Sequence, residues 1–249
     1  TAFSQYRFGR VYSGNQFDQT LSRSLFETPH RVILNGSYSV RRTGTSLSAI
    51  YSGQSGVPYS YVSNGDLNGD NQTRNDPIYV PTGLTDPRGP VFASYTRQVT
   101  RDGSTVSETV SPAVQAGAFD AFINSVPCLR ESRGRILARN TCRSPWVNQL
   151  DVSLEQPIRT LRGQNFSIRI DGINFANFIN RDFGRQVNAG LFNPQDIYTQ
   201  TGIVLPGTNT NANLQTGVPR VNFNPDLQRF NYDTPQSNYT FQLSLRYQF

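Results

Sequence analysis

The stretch Asn238-Tyr-Thr-Phe-Gln-Leu-Ser-Leu-Arg-Tyr-Gln-Phe249 decides the fold. Its apolar residues fall on every second position: Tyr239, Phe241, Leu243, Leu245, Tyr247 and Phe249. Thr240, Gln242, Ser244, Arg246 and Gln248 fill the positions between them. Side chains alternate across a β-strand, so this pattern predicts a strand with one apolar and one polar face. A strand that crosses a bilayer needs about 9–11 residues, apolar outward and polar inward, with aromatic residues at the interfaces. The segment fits that template over its whole length. Arg246 opposite so many aromatic residues weighs against the competing all-β reading, a soluble sandwich.

Working outward, the same signal recurs. Strands are expected near 3–12, 31–41, 45–62, 146–158, 165–178 and 238–249. Val32, Leu34, Tyr38 and Val40 share one parity against Arg31, Asn35, Ser37 and Ser39, interrupted by Ile33. Leu150, Val152 and Leu154 alternate with Asp151, Ser153 and Glu155, and Phe166, Ile168 and Ile170 oppose Ser167, Arg169 and Asp171. The connections alternate in length. A loop at 13–28, a long aperiodic segment at 63–145 and another at 179–237 are separated by short turns at 42–44 and 159–164. Outer-membrane barrels carry short turns on the periplasmic side and long loops outside. The expectation is therefore a bacterial outer-membrane protein with a periplasmic C-terminus and three extracellular segments. Six strands do not close a barrel, because the smallest single-chain barrels have eight. An open edge in hydrocarbon costs several kcal/mol per unpaired backbone group. The chain is thus expected to pair with further strands. It begins at Thr1 and contains no Met, which favours upstream strands of one longer polypeptide over other subunits.

Composition agrees with antiparallel β-structure: 36% hydrophobic and 12% aromatic residues, with polar stretches rich in Asn, Gly, Ser, Thr and Pro. No run approaches the ~18 apolar residues of a membrane helix. The net charge of +6 comes from Arg alone. These arginines are scattered, with one modest cluster at Arg130, Arg133, Arg135, Arg139 and Arg143, whereas nucleic-acid binders concentrate basic residues on one face. No nucleic-acid partner is expected. His30 is the sole histidine and sits at a strand start. Without Lys or a conspicuous carboxylate pair, acid–base catalysis has little to work with, and no enzymatic activity is expected.

Four features could carry a site. In Asp66-Leu-Asn68-Gly-Asp70-Asn-Gln72-Thr-Arg-Asn-Asp76, oxygen ligands at alternate positions resemble the first half of an EF-hand loop and suit Ca²⁺. Asp66, Asn68, Asp70 and Asp76 would offer side-chain oxygens and Gln72 a carbonyl. Asn71 stands at the glycine position, where φ > 0 is needed, and Pro77 replaces the bidentate glutamate. The competing reading is a solvated Asx-turn loop. Cys128 and Cys142 are the only cysteines, and in an exported protein a disulfide is their natural state. Asp151, Glu155, Arg169, Asp171 and Arg246 are expected to face a lumen or plug. Aromatic residues near strand ends, Tyr51, Tyr59, Tyr61, Trp146, Phe175, Phe178, Tyr239, Tyr247 and Phe249, are expected in interfacial girdles, with Tyr59, Tyr61 and Tyr79 alternatively touching a ligand. No ligand-binding residue follows from the sequence.

Almost the whole chain resembles the C-terminal part of Oar-like TonB-dependent outer-membrane transporters. The resemblance rests on PHRVILNGSY (Pro29–Tyr38), YSGQSGVPYSYV (Tyr51–Val62), GDLNGDNQTRNDPIYVP (Gly65–Pro81), PCLRESRGRILARNTCRSPW (Pro127–Trp146), LDVSLEQPI (Leu150–Ile158), IRIDGINFANFIN (Ile168–Asn180) and the final FQLSLRYQF. The resemblance implies a 22-stranded antiparallel transmembrane β-barrel, of which this chain supplies about six C-terminal strands. It also implies an N-terminal plug on the same polypeptide, a TonB partner and energised uptake of a ligand. Phe249 matches the terminal residue that the outer-membrane assembly machinery reads in such proteins. The rival reading is an adhesion or scaffold barrel without transport.

Overall fold

The computed structural model describes residues 21–69, 71–159, 165–187, 195–205, 217–230, 232 and 237–248. The strand expected near 3–12, most of the 13–28 loop, Asp70 and Phe249 lie outside the described residues. In chain order the strands are β1 Arg31–Ser39, β2 Ser46–Gln54, β3 Pro58–Tyr59, β4 Tyr61–Asn64, β5 Tyr79–Val80, β6 Val91–Phe92, β7 Tyr95–Arg101 and β8 Ser104–Val110. Helices α1 Pro112–Ser125 and α2 Pro127–Arg130 follow. Then come β9 Arg135–Ile136, β10 Cys142–Arg143, β11 Val147–Arg159, β12 Asn165–Ile173, helix α3 Phe175–Ile179, β13 Gln195–Val204, β14 Val218–Asn222 and β15 Thr240–Gln248. The fold is all-β with a few short helices, and no helix among the described residues is long and apolar enough to cross a membrane.

The chain divides into two compact units. One comprises Glu27–Val57, Ser144–Asn188 and Phe230–Phe249, of which the described residues form a single antiparallel sheet in the order β1-β2-β11-β12-β15. Its register explains the alternation in the sequence. Tyr38, Leu47, Leu154, Ile170 and Leu243 stand in one row across all five strands. The neighbouring row of opposite parity is Ser37, Ser48, Ser153, Asp171 and Gln242, and beyond the apolar row lies Ser39, Ser46, Glu155, Arg169 and Ser244. One face is therefore largely apolar and the other polar, Ile33, Ile50, Val147, Pro157 and Ile173 being apolar exceptions on the polar parity. The apolar face is uncovered: Leu34, Leu243 and Leu245 are each more than 60% exposed.

Two glycines fit this sheet. Gly44 (φ 75°) closes the β1–β2 turn, where Val40 N–H donates to Thr45 O and Gly44 N–H to Val40 O, both at 2.8 Å. Gly172 lies beneath Phe241, its register partner, and a Cβ there would stand 3.1 Å from that ring and from Val152. The turn at 40–45 and the link at 160–164 leave one end of the sheet. The long connections, 55–146 and 174–239, leave the other.

The second unit comprises Thr1–Phe26, Pro58–Arg143 and Ala189–Arg229. Among its described residues a sheet runs in the order β4-β13-β14-β6, parallel at both outer pairs and antiparallel at the centre. Helix α1 starts at Ser111, whose hydroxyl accepts from Val114 N–H, with Pro112 in the first turn. It buries Phe119, Phe122 and Ile123, whose spacing puts them on one face. Phe119 meets Phe92, Phe223 and Tyr198 at ring-centroid distances of 5.6, 5.2 and 6.0 Å, and Phe122 meets Tyr61 at 5.8 Å. Each such ring contributes about 1.5–3 kcal/mol by burial alone. Gln115, fully buried, ties together the chain at the C-terminal ends of β6, β8 and β14. Its Nε2 donates to Ala93 O (2.7 Å) and Val110 O (3.2 Å), while its Oε1 accepts from Phe223 N–H (2.9 Å). The Cys128–Cys142 disulfide ties α2 to β10, which pairs with β3. It closes a loop with a sequence separation of 14, worth about 3 kcal/mol in the chain-entropy account.

Four expectations need correcting. The long loop expected over 179–237 holds β13 and β14. The strand expected over 45–62 ends at Gln54, and Pro58–Tyr59 and Tyr61–Asn64 belong to the second unit. The strand expected over 165–178 ends at Ile173, because Asn174 adopts φ 52°, ψ 41° and turns the chain into α3. The segment 63–145, expected to be irregular, holds a hairpin, two helices and several short strands.

Candidate functional site

The 66–76 loop is organised by its own carboxylates. Asp66 Oδ1 accepts from Gly69 N–H at 2.7 Å and its Oδ2 from Asn71 N–H at 2.9 Å. Asp76, 3% exposed, accepts from Leu67 N–H at 2.7 Å. Asn71 takes φ 62° at the position where an EF-hand places glycine. Asp66 and Asp76 therefore clamp opposite ends of one loop, in the manner of Asx turns. Asn68 and Gln72 belong to the same loop, whereas Asp70 lies outside the described residues. Among the described residues no group of three or more His, Cys, Asp or Glu side chains could hold a metal ion.

Tyr59 and Tyr61 are 1% and 2% exposed, so neither forms a girdle nor meets a ligand at the surface. Their hydroxyls lie 3.3 Å apart, and burial pushes both phenols above their ordinary range. Sequence alternation misplaced them because the strand pattern continues past Gln54 while the backbone leaves the sheet. Tyr79 donates to Asp86 Oδ2 at 2.8 Å and lies under the Arg88 guanidinium, 4.7 Å from its ring centre. Asp86 also accepts from Thr82 N–H, Thr82 Oγ1 and Arg88 N–H. Burial works to raise its pKa, but these four donors outweigh it and hold the carboxyl at about 2. This constellation pins a turn.

The polar face of the five-stranded sheet carries the charges expected there. Arg169 and Asp171 are bonded at 2.8–3.0 Å, Glu155 stands directly opposite Arg169, and Arg246 is opposite Ser167. Asp151 Oδ1 accepts from Asn174 N–H at 2.8 Å, so a polar-face carboxylate also fixes the left-handed residue that ends β12. His30 contributes its backbone, with N–H to Ser55 Oγ at 3.3 Å.

Beyond Asn174 the chain builds a cavity that the sequence did not disclose. Asn174 Nδ2 donates to Ser237 O (2.9 Å), and Asn177 Nδ2 to Arg181 O (3.0 Å) and Phe183 O (2.7 Å). These bonds hold the 177–185 turn beside 237–239 and leave a cavity of 560 Å³ lined by Asn177, Arg181, Asp182, Arg185, Tyr232 and Tyr239 among others. The Arg185 guanidinium lies 3.9 Å from the centre of the Tyr232 ring and pairs with Asp182 at 2.9 Å. Tyr239 forms one wall and is also part of an aromatic cluster. Its ring centre is 5.1 Å from Phe178 and 5.7 Å from Phe241. The signal available in the sequence was the arginine spacing in Asn180-Arg-Asp-Phe-Gly-Arg185, but nothing local links it to residues some 50 positions downstream. Comparison of the chain with protein-family models, with curated proteins and with solved structures yields no match.

Proposed function

We propose that the five-stranded sheet is a wall segment of an outer-membrane β-barrel belonging to a TonB-dependent transporter of the Oar-like kind. One observation carries the membrane part: an apolar face, continuous across five strands in register, is uncovered while the opposite face is polar and charged. Soluble monomers rarely expose contiguous apolar areas beyond a few hundred Å². Outer-membrane strands carry this alternation over about 9–11 residues, and β1, β2, β12 and β15 have nine each. The sorting of short turns to one end and long connections to the other supports the same reading. Among the described residues β1 and β15 are the outer strands of the sheet, and a barrel needs further strands beyond them to close, since an edge in hydrocarbon leaves backbone groups unpaired. The resemblance supplies what those strands and the plug would do: admit a ligand captured outside, driven by the inner-membrane gradient through TonB. A display scaffold is the alternative, favoured by the aromatic core and disulfide that the long connections build for themselves.

Ca²⁺ is proposed to stiffen the 66–76 loop, because Asp66, Asn68, Asp70, Asp76 and the Gln72 carbonyl are hard oxygen ligands of the kind it takes. Fractionation of the native organism tests the membrane proposal. The polypeptide should sediment with outer membranes, resist a carbonate wash and need detergent for release. Recovery in detergent-free buffer would sink it. Ligand uptake that collapses when the inner-membrane gradient is discharged separates transporter from scaffold.

A further inference from the structure

The cavity behind Tyr239 combines three things. It is polar and roomy, and 560 Å³ lies within the 300–1,000 Å³ usual for ligand sites. Its charge is positive on balance, with Arg181 and Arg185 against Asp182. Its wall is shared with an exposed apolar cluster, Phe178 at 55%, Tyr239 at 42% and Phe241 at 48%. Phe241 continues directly into the apolar row of β15, so the Tyr239 wall of the cavity adjoins the end of the face assigned above to lipid.

The two arginines are not equivalent. Arg185 is held by stacking on Tyr232 and by Asp182, with its guanidinium plane fixed. The Arg181 side chain lines the same cavity and makes no ion pair or side-chain hydrogen bond among the described residues. Guanidinium groups present a planar fork that matches phosphate oxygens, and they are the side chains of choice for that recognition. Aromatic side chains such as Tyr239 and Phe178 settle at headgroup level in membrane proteins. A cation pair next to such a cluster meets a lipid phosphate at the depth where its acyl chains meet Phe241 and Leu243.

We propose that this cavity seats the phosphorylated headgroup of a membrane lipid, with Arg181 as the principal phosphate contact and Arg185 as a pre-oriented second one. The proposal rests on the membrane reading of the sheet. Asp182 limits the net charge and would favour a headgroup that also offers hydroxyls to donate to its carboxylate, such as a phosphorylated sugar.

The test uses the full polypeptide purified in mild detergent and native mass spectrometry. The probes are lipid A with its phosphates, the same lipid dephosphorylated, and inorganic phosphate. One phosphorylated lipid should be retained per protein, and the dephosphorylated lipid should bind more weakly. Arg181→Ala should weaken retention roughly fivefold, since one basic residue near a membrane surface is worth about that factor. Arg181→Lys should keep most of it. Among the described residues the Arg181 side chain holds no other side chain in place, and the Arg181 carbonyl that accepts from Asn177 Nδ2 is retained in the Ala variant. Equal binding of the dephosphorylated lipid, or an unchanged Arg181→Ala variant, overturns the proposal. Inorganic phosphate displacing the lipid at equal concentration overturns the lipid assignment and leaves a soluble-anion site. A protein that needs no detergent defeats the membrane reading itself; one that needs detergent but shows no headgroup preference defeats only this inference.

Discussion

Leu243→Arg separates the membrane account from a soluble one by the size of its effect. Leu243 is 66% exposed and lies in the central apolar row with Ile170 as its partner. It is four residues from Tyr239 and four from Tyr247, the aromatic residues near the two ends of β15. At about 3.3 Å per residue each lies about 13 Å away along the strand. With a strand tilt of about 40°, that is about 10 Å of depth on either side, so Leu243 sits near the middle of an apolar band about 25 Å tall. Arginine at the midplane of such a band costs about 2–4 kcal/mol, a factor of about 30 to 1,000 in the folded-to-unfolded ratio. In a soluble protein an exposed Leu→Arg change stays within about 0.5 kcal/mol. The assay is urea titration of the full polypeptide refolding into phospholipid vesicles, with Ser244→Arg on the opposite face as the control. A midpoint shift for Leu243→Arg worth less than about 0.5 kcal/mol, or an equal penalty for Ser244→Arg, refutes the reasoning.

Other predictions concern the second unit. Gln115→Leu keeps the volume but removes the donor to Ala93 O and the acceptor of Phe223 N–H. Buried groups stripped of partners cost about 1–3 kcal/mol each, so amide exchange across 93–126 should accelerate at least about tenfold while β11 and β12 stay protected; unchanged exchange contradicts the keystone role. Asp86 has a folded pKa near 2, below its ordinary 3.8, so its contribution is complete above about pH 4 and is lost as pH falls toward 2. Amide exchange at Thr82 and Arg88 should rise in that window, and Asp86→Asn should abolish the pH dependence. Chelating Ca²⁺ should increase proteolysis near residue 70 if a cation stiffens the loop. Cleavage that does not change would leave the loop organised by its own contacts, those of Asp66 and Asp76 among them.

The five strands of the larger sheet were legible because one face of each is apolar and the other polar, and period 2 survives in the sequence wherever the two faces differ in this way. Val218–Asn222 reads as loop because its two buried residues, Val218 and Val221, are three positions apart and show no period of two. Tyr59 and Tyr61 mislead in the opposite sense, since their parity continues that of Tyr51 although the backbone has left the sheet. Helix α1 did carry a signature, Ser111-Pro112 followed by Phe119, Phe122 and Ile123, but its short, Ala- and Gly-containing run was lost inside a long polar segment. The cysteine pair and the loop glycine surrogate Asn71 could be read directly, because each depends on residue type alone. The cavity could not, because it joins residues 177–185 to 232–239 through backbone carbonyls and side-chain amides that carry no sequence motif.

The most direct measurement of the central claim is a collision profile along β15. Nitroxide labels are placed singly at positions 240 to 247 of the full polypeptide in bilayers, and relaxation by dissolved oxygen is compared with that by a water-soluble nickel complex. Alternation with a period of two, oxygen-rich at 241, 243 and 245 and nickel-rich at 242, 244 and 246, is the predicted result. Uniform access of the nickel complex to both parities would place the apolar face in water and contradict the account.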